Sequence, residues 1–582
     1  MELKSETTRS IRLRNGRNNN HCFTKGLKNG FACTNARKTG RKLMCHRNIQ
    51  ALFVLAILVL NFGAVHTWQH MECKHLNPKT GLGTTSKEME VKGIPHAPIH
   101  INGNGEFTST NGVTGGSGTE NDPYIIEGWD IDANGGSYGI WIENTSVYFV
   151  IRNCTVYNAT DSGSAPYGAS IALNNVTHGT LDSNRCNNSQ YGIYLYGSSQ
   201  YNNLTNNKAS GNGDGIYLWG SSNNTIANNN ASDNKYGISL LFWCSSNIII
   251  NNSASRNSVN GITLTFTSNN SITNNNASHN SANGIRLESS SNNSITNNNA
   301  SHNEAGLYLG SSSNNTITDN NALHNSAWGI LLYSSSSNTI TNNNASHNNY
   351  GIYLDSSSNN IIINNNASEN SNYDIHLESS TNNNITNNTM FFGEGICLLS
   401  SCNTNLTGNI MYRCGIIIDG SFISDWNTHE IDTSNKVNGK PVYYYRNQNG
   451  GTVPSPAGQV ILANCTGMTV ENLDVSTASR GIQLGFSSYN TVKNNNASGN
   501  AREGIFLVSS HCNTITNNNA SGNSYGIYLW YSSNNTITNN NASGNSWDGI
   551  SLYASSNNNL TYNWICNNAH CGVSITSGST GT

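Results

Sequence analysis

A glycine, or a residue standing in for it, returns at a nearly constant step through most of this chain. It falls at Gly192, Gly215, Gly237, Gly261, Gly284, Gly306, Gly329, Gly351, Asp374 and Gly395. After an interruption the series resumes at Gly481, Gly504, Gly526, Gly549 and Gly572, and looser copies centre on Gly139 and Gly168. Each unit has one grammar, seen in "SITNNNASHNSANGIRL" (Ser271–Leu287). A short run such as "GIYLY" alternates apolar and neutral side chains, as a strand with one buried face does. A turn composition "SSNN" follows, then "TI", then "NNNAS" and a second small-residue turn. No stretch carries a helical period. A short repeat of this length, with two or three very short strands, is one rung of a parallel β-solenoid. The chain therefore reads as all-β, a β-helix of about 17–18 rungs.

The repeated asparagines follow from stacking. Equivalent positions on successive rungs lie about 4.8 Å apart, so one amide can bond the next up the stack. Asparagine also tolerates the left-handed backbone that a tight corner needs. The isoleucines and leucines of "GIYL" and "TI" are the expected core. With only 10% charged residues the composition resembles disorder, but the periodic apolar positions exclude it.

The N-terminus is chemically distinct. Residues 1–50 hold 12 Lys or Arg against two acids, and "ALFVLAILVL" (Ala51–Leu60) has the length of a signal-peptide core. Translation starting at Met44 would give a well-proportioned export signal. The expected organisation is thus a basic segment 1–43, a signal or membrane-contacting anchor 44–67 and a linker 68–97. Rungs follow over 98–420, an interruption over 421–480, rungs again over 481–577 and a tail 578–582. Beyond residue 50 the balance is 17 Lys or Arg against 30 acids, which argues against nucleic acid as a partner. In an exported chain Cys154 with Cys186, and Cys566 with Cys571, are placed to form disulfides, with buried free thiols as the alternative.

Two stretches carry a family resemblance. "NKVNGKPVYYYRNQNGGTVPSPAGQVILANCTGMTVENLDVS" (Asn435–Ser476) resembles the NosD-type group, where an N-x-V-N-G-K-P segment and an A-G-Q-V-I-L-A-N-C-T strand interrupt the rungs. "PIHINGNGEF…NDPYIIEGWDI" (Pro98–Ile131) is similar to the first rungs of archaeal surface proteins of that kind. The resemblance implies a single-stranded right-handed parallel β-helix, the fold shared with pectate lyases and alginate epimerases. It also implies a secreted, periplasmic or cell-surface location and a copper-binding label. It is specific for fold and weak for activity, because such repeats serve unrelated functions.

Three places are candidates for function. The variable residue of "NAS-x-N" reads His279, His302, His324 and His347 on four successive rungs, bracketed by Asp233 and Glu369. Imidazoles so spaced are candidate ligands for copper or zinc, whereas calcium would suit the adjacent carboxylates Asp355 and Glu378. The outward positions of the "GIYLY" strands carry Tyr194, Tyr196, Tyr217, Trp219, Tyr353, Tyr528, Trp530 and Tyr553, a strip suited to sugar rings. Among them Asp355 and Glu378 fall on adjacent rungs beside His376, the basis of a lyase or epimerase reading. The interruption at 421–457 gathers Asp425, Trp426, His429, Glu430, Lys440 and Arg446, either a binding loop or a clamp between two solenoid halves. "HTWQHMECKH" (His66–His75) has a soft-ligand composition. The reading that absorbs most of these features is a binding scaffold for glycan or a protein surface rather than an enzyme. A copper-handling accessory protein is the alternative.

Overall fold

The computed structural model describes residues 93–582. The export signal, the Met44 start and the His66–His75 segment lie outside the described residues. The rest is a parallel β-solenoid of about 20 turns, a few more than the glycine series counts, because irregular turns at both ends and around the interruption also close as rungs. Ile94–Pro95, inside the expected linker, already pair with Trp129 and Asp130.

The "GIYL" strands stack into a 14-stranded sheet running from Ile99–Asn102 to Gly415–Asp419. The "TIT" strands form a second 14-stranded sheet, from Tyr124–Glu127 to Glu430–Ile431. Through the regular repeats the third face is held by single bridges such as Asn276 to Asn299 and Asn299 to Asn321. Register never slips: Ile285 pairs with Leu307 and Leu287 with Leu309, so apolar residues meet their equivalents. A single rung buries Ile285, Leu287, Ile295 and Ala300 completely. Each large aliphatic contributes about 2–3 kcal/mol by leaving water. The recurrent glycine sits where the backbone crowds the "NAS" turn. A Cβ on Gly284 would lie 2.7 Å from the Gly306 carbonyl oxygen and 2.8 Å from that of Ala277.

The three asparagines of "NNNAS" have three different tasks. The first takes the left-handed corner, φ 57° at Asn274 and 55° at Asn297. The third is exposed and forms the bridge of the third face. The second is buried and builds the ladder. Asn298 Oδ1 accepts from the backbone N–H of Asn275 (2.8 Å) and from its Nδ2 (3.0 Å). Asn298 Nδ2 donates to the carbonyls of Ile272 and Thr296 and to Asn320 Oδ1. Parallel ladders run through Asn270, Asn293 and Asn315 and through Asn257, Asn280 and Asn303. A serine ladder runs through Ser290, Ser312 and Ser335. These side chains satisfy turn N–H and C=O groups that no strand partner reaches.

The interruption is a clamp. The antiparallel pair Lys436–Val437 with Lys440–Arg446 ends one solenoid and starts a second, which has its own core around Val460, Leu462, Ile482 and Leu484. The outer face of the second solenoid lies across the end of the first. The last strand of the first sheet, Gly415–Asp419, would otherwise present bare backbone. Gln459 accepts from the Ile416 N–H (2.9 Å) and donates to its carbonyl (2.7 Å), while Gln483 accepts from the Ile418 N–H (3.3 Å). Arg480, 3% exposed, bonds Asp419 and Glu503 and stacks on Phe506 at 4.1 Å. Trp426 is fully buried and needs Gly485 opposite, where a Cβ would come within 2.2 Å of the indole. His429, a neutral tautomer, caps Thr404 in the column that the asparagines Asn360 and Asn383 occupy on the rungs before. Its Nδ1 accepts from the Thr404 N–H (3.2 Å) and its Nε2 donates to the Asp425 carbonyl (2.9 Å). Burial holds its pKa down at about 4.

Neither expected disulfide is present: Cys154 and Cys186 are buried free thiols, and Cys566 and Cys571 are also free. Burial pushes the Cys154 thiol up to about 11.

Two outcomes follow. Asn298→Ala leaves the Asn275 N–H buried without an acceptor and removes one bond each from the Asn275 side-chain amide and the Ile272 carbonyl, costing about 2–3 kcal/mol, against under ~1 kcal/mol for exposed Asn299→Ala. Urea unfolding and local hydrogen exchange at the flanking rungs measure the difference. His429 has a folded pKa below its unfolded value, so its contribution to stability is present above about pH 6.5 and is lost as pH falls toward about 4. His429→Asn, which keeps a ladder acceptor without the titration, should lose about 3 kcal/mol less than wild type between those pH values.

Candidate functional site

The four column histidines all take the left-handed backbone, φ 59°, 60°, 54° and 59°, and all are exposed or half-buried at the surface. This explains why other rungs place Gly211, Gly499, Gly522 and Gly544 there, each at positive φ. The rings stack in sequence at centroid distances of 4.6, 5.2 and 4.8 Å, the first pair nearly parallel at 4°. The bracketing acids are used locally: Asp233 binds Arg256 at 2.9 Å, and Glu369 lies 3.1 Å from His347. His302 has its pKa lowered by desolvation and then by the charges of His279 and His324. Only the first pair is face to face, the next two being tilted at 35° and 45°, and no three of these histidines bring ligand nitrogens within 4.8 Å of one another. Among the described residues the one group of three whose ligand atoms converge within 4.8 Å is Asp548, His570 and Cys571, on the final two rungs.

The aromatic positions do not form one strip. Tyr194 and Tyr217 are buried, 6% and 8% exposed, in a satellite cluster with Ala169 and Ala172. Neighbours on the same strand and on the next rung cover each ring: Tyr194 lies 4.6 Å from Tyr196 on its own strand and 5.1 Å from its register partner Tyr217, and Tyr191 lies 4.8 Å from Tyr217. Burial pushes the Tyr196 phenol up to about 12. Tyr528 and Trp530 belong to the second solenoid, half-buried beside their register partners Phe506 and Val508, which close the end of the first. Tyr553 is exposed near the C-terminal end and Tyr353 is half-buried.

One part of the strip opens to solvent. Trp219 (40% exposed) leads through Phe242 (rings 4.5 Å apart) to Trp243, which is 75% exposed. Phe242, Trp243 and Phe266 occupy left-handed corners, and Phe266 stacks on Phe242 at 5.4 Å. The two tryptophans flank an open hollow of about 630 Å³ whose remaining wall includes Gln200, Ser222, Asn223 and Ser245. Asn223 Nδ2 donates to Gln200 Oε1 (3.3 Å), and the Ser222 hydroxyl lies 3.2 Å from that of Ser245. Every residue lining the hollow is uncharged. Trp243 escapes a reading of outward strand positions alone, since it sits in the corner after the strand. The lengthened step from Gly237 to Gly261 is its available signal.

Asp355 and Glu378 are register partners, as are Tyr353 and His376. The Tyr353 hydroxyl donates a hydrogen bond to Glu378. His376, however, is 6% exposed, enclosed by Tyr350, Tyr353 and Tyr373, and neither ring nitrogen has a hydrogen-bond partner. Burial holds its pKa down at about 4. The three residues are therefore together, but the imidazole lies beneath the tyrosines instead of at the surface where a polymer would meet it. Arg502, from the second solenoid, closes this corner by bonding Tyr373 (2.5 Å) and Glu394 (3.4 Å). The spacing of the repeat gives no hint of that contact.

No curated protein matches the sequence. Among solved structures, the chain is similar to the A-module of a mannuronan C-5 epimerase from Azotobacter vinelandii at 15% identity, covering 55% of this chain and 90% of that one with a TM-score of 0.39. It is similar to gene product 12 of bacteriophage phi29 at 13% identity, over 76% and 70% of the two chains, with a TM-score of 0.34. The periplasmic alginate epimerase AlgG matches at 10% identity, over 78% and 85%, with a TM-score of 0.18. Residues 419–582 match the family described as periplasmic copper-binding protein (NosD), and residues 138–300 and 283–437 match the right-handed β-helix region. With more than half of its length matched in this way, the chain belongs to the right-handed β-helix family, with a second solenoid of NosD type.

Proposed function

We propose that this protein is an exported binding scaffold that holds a neutral polysaccharide against the outer face of its first solenoid, with Trp219 and Trp243 as the platform. The observation that carries this reading is the hollow between those two indoles, walled by amides and hydroxyls and free of charged side chains. Indole faces take up the apolar C–H face of a sugar ring, and fixed amides and hydroxyls bond its equatorial hydroxyls. A 75% exposed tryptophan on a corner of the rung is costly to leave in water. The periplasmic description of the NosD family, together with the apolar segment near residue 55, supports export. The buried His376 favours binding over catalysis at the Asp355 and Glu378 corner.

Calorimetric titration with neutral and uronic-acid oligosaccharides tests the proposal. Saturable binding is expected for a neutral oligosaccharide, weakened about tenfold by Trp243→Ala and by Trp219→Ala, the loss of one stacked ring each. Tyr333→Ala, an exposed outward tyrosine five rungs away, should leave the affinity unchanged. Equal loss in Tyr333→Ala, a preference for uronates, or no saturable binding to any oligosaccharide would overturn it.

A further inference from the structure

We infer that Asp548, His570 and Cys571 form a binding site for a divalent transition-metal ion of borderline softness, of the zinc or copper(II) class. The site is independent of the glycan reading and lies at the far end of the second solenoid. Its residues come together because the rungs stack. Asp548 and Cys571 each precede the recurrent glycine, Gly549 and Gly572, and so occupy the same position on the last two rungs. The Cys571 backbone N–H donates to Asp548 Oδ1 (3.1 Å), and His570 Nδ1 lies 2.7 Å from the same oxygen. The His570 ring is fixed from behind by Trp547, stacked at 4.8 Å and 21°, and its backbone N–H donates to the Trp547 carbonyl (3.0 Å).

The donor set is selective. A thiolate, an imidazole and a carboxylate suit zinc or copper and would be a poor set for calcium or magnesium, which take oxygen ligands. The three ligand atoms already lie within 4.8 Å of one another. Bonds of about 2.0–2.3 Å therefore require only a small inward movement. The Asp548 side chain is 3% exposed while that of His570 is 52% exposed, so one ligand is anchored in the rung and another faces solvent. That arrangement supplies three protein ligands and leaves a further position for water or a partner's donor. On binding, the Cys571 thiol gives its proton to solvent as the sulfur–metal bond forms. An ordinary ion pair between Asp548 and His570 would account for their close contact alone. It would not account for the thiol in the same triangle.

The full chain, kept reduced, is titrated with cobalt(II), and the sulfur-to-cobalt charge-transfer absorption is followed. The band is expected in wild type and in His302→Ala/His324→Ala, absent in Cys571→Ser, and weakened in apparent affinity at least tenfold by His570→Ala. Competition with zinc and with copper(II) then shows which ion displaces cobalt at the lower concentration. A measurement without variants stands beside it: zinc should protect Cys571 from alkylation, read by peptide mass spectrometry, while Cys512 and Cys566, both also partly exposed, remain reactive. A band that survives Cys571→Ser, a band that requires the histidine column, or equal alkylation of Cys571 with and without zinc would overturn the assignment.

Discussion

The structure depends on the buried asparagine amide at each turn. A strand as short as Ser294–Thr296 offers too few ladder bonds to hold a rung by itself. What locks one rung over the next is the corner, where Asn298 takes up two donors from the rung below and donates back to that rung at Ile272, within its own rung to Thr296 and onward to Asn320. An unsatisfied corner would leave buried N–H and C=O groups at a cost of about 1–3 kcal/mol each, repeated on every rung. Because three asparagine ladders and one serine ladder turn the chain at the same places each time, register is fixed to the residue. The outer surface then becomes a set of columns in which any side chain repeated at the period stands beside its copy.

That regularity creates a difficulty at the ends, since an open solenoid exposes both a sheet edge and a slice of core. The first solenoid solves it with the outer face of the second. Gln459 and Gln483 imitate a missing strand by offering an acceptor and a donor each, and Phe506 and Val508 continue the core that Ile416 and Ile418 would leave open. Arg480 can be buried there because Asp419 and Glu503 share its charge from either side, which avoids an unpaired ion in a dry interface. The far end of the second solenoid has no such cover among the described residues, and Val573 and Ile575 are 42% and 49% exposed.

The rung was legible in the sequence because inward isoleucine, corner asparagine and crowded glycine each recur at a fixed offset and each has a single physical reason to do so. Periodicity is silent where a side chain answers to something other than its own rung. The Gln459 and Gln483 amides look like ordinary outward strand positions until another solenoid lies against them. Tyr194 and Tyr217 read as outward, and they are, yet rings crowding together on the same strand and on the adjoining one bury aromatic side chains that the strand pattern counts as exposed. The histidine column was visible for the same reason as the asparagine ladders, but sharing a column sets rings beside one another without bringing three of their nitrogens to a common point. Asp548 and Cys571 share a column too. Being different residue types, they break the repeat's consensus and are invisible to a search for recurrence.

This suggests where to look on a scaffold of this kind. A consensus rung is already satisfied, so its outward residues have nothing further to do, and a departure from consensus has to be supported by some compensating change. Asp374 stands where glycine belongs, and Gly393 on the next rung gives way to it, since a Cβ there would meet its carboxylate at 2.2 Å. Asn370 and the Gly395 N–H then bond that carboxylate. The lengthened step that produces Trp243, and the last rung that carries His570 and Cys571, are departures of the same sort with no structural debt of that kind to settle. Their side chains turn outward, toward solvent, where neither the ladder nor the core uses them. Both sites proposed on this solenoid therefore lie where the period falters, and the long regular stretches between hold those places at fixed distances.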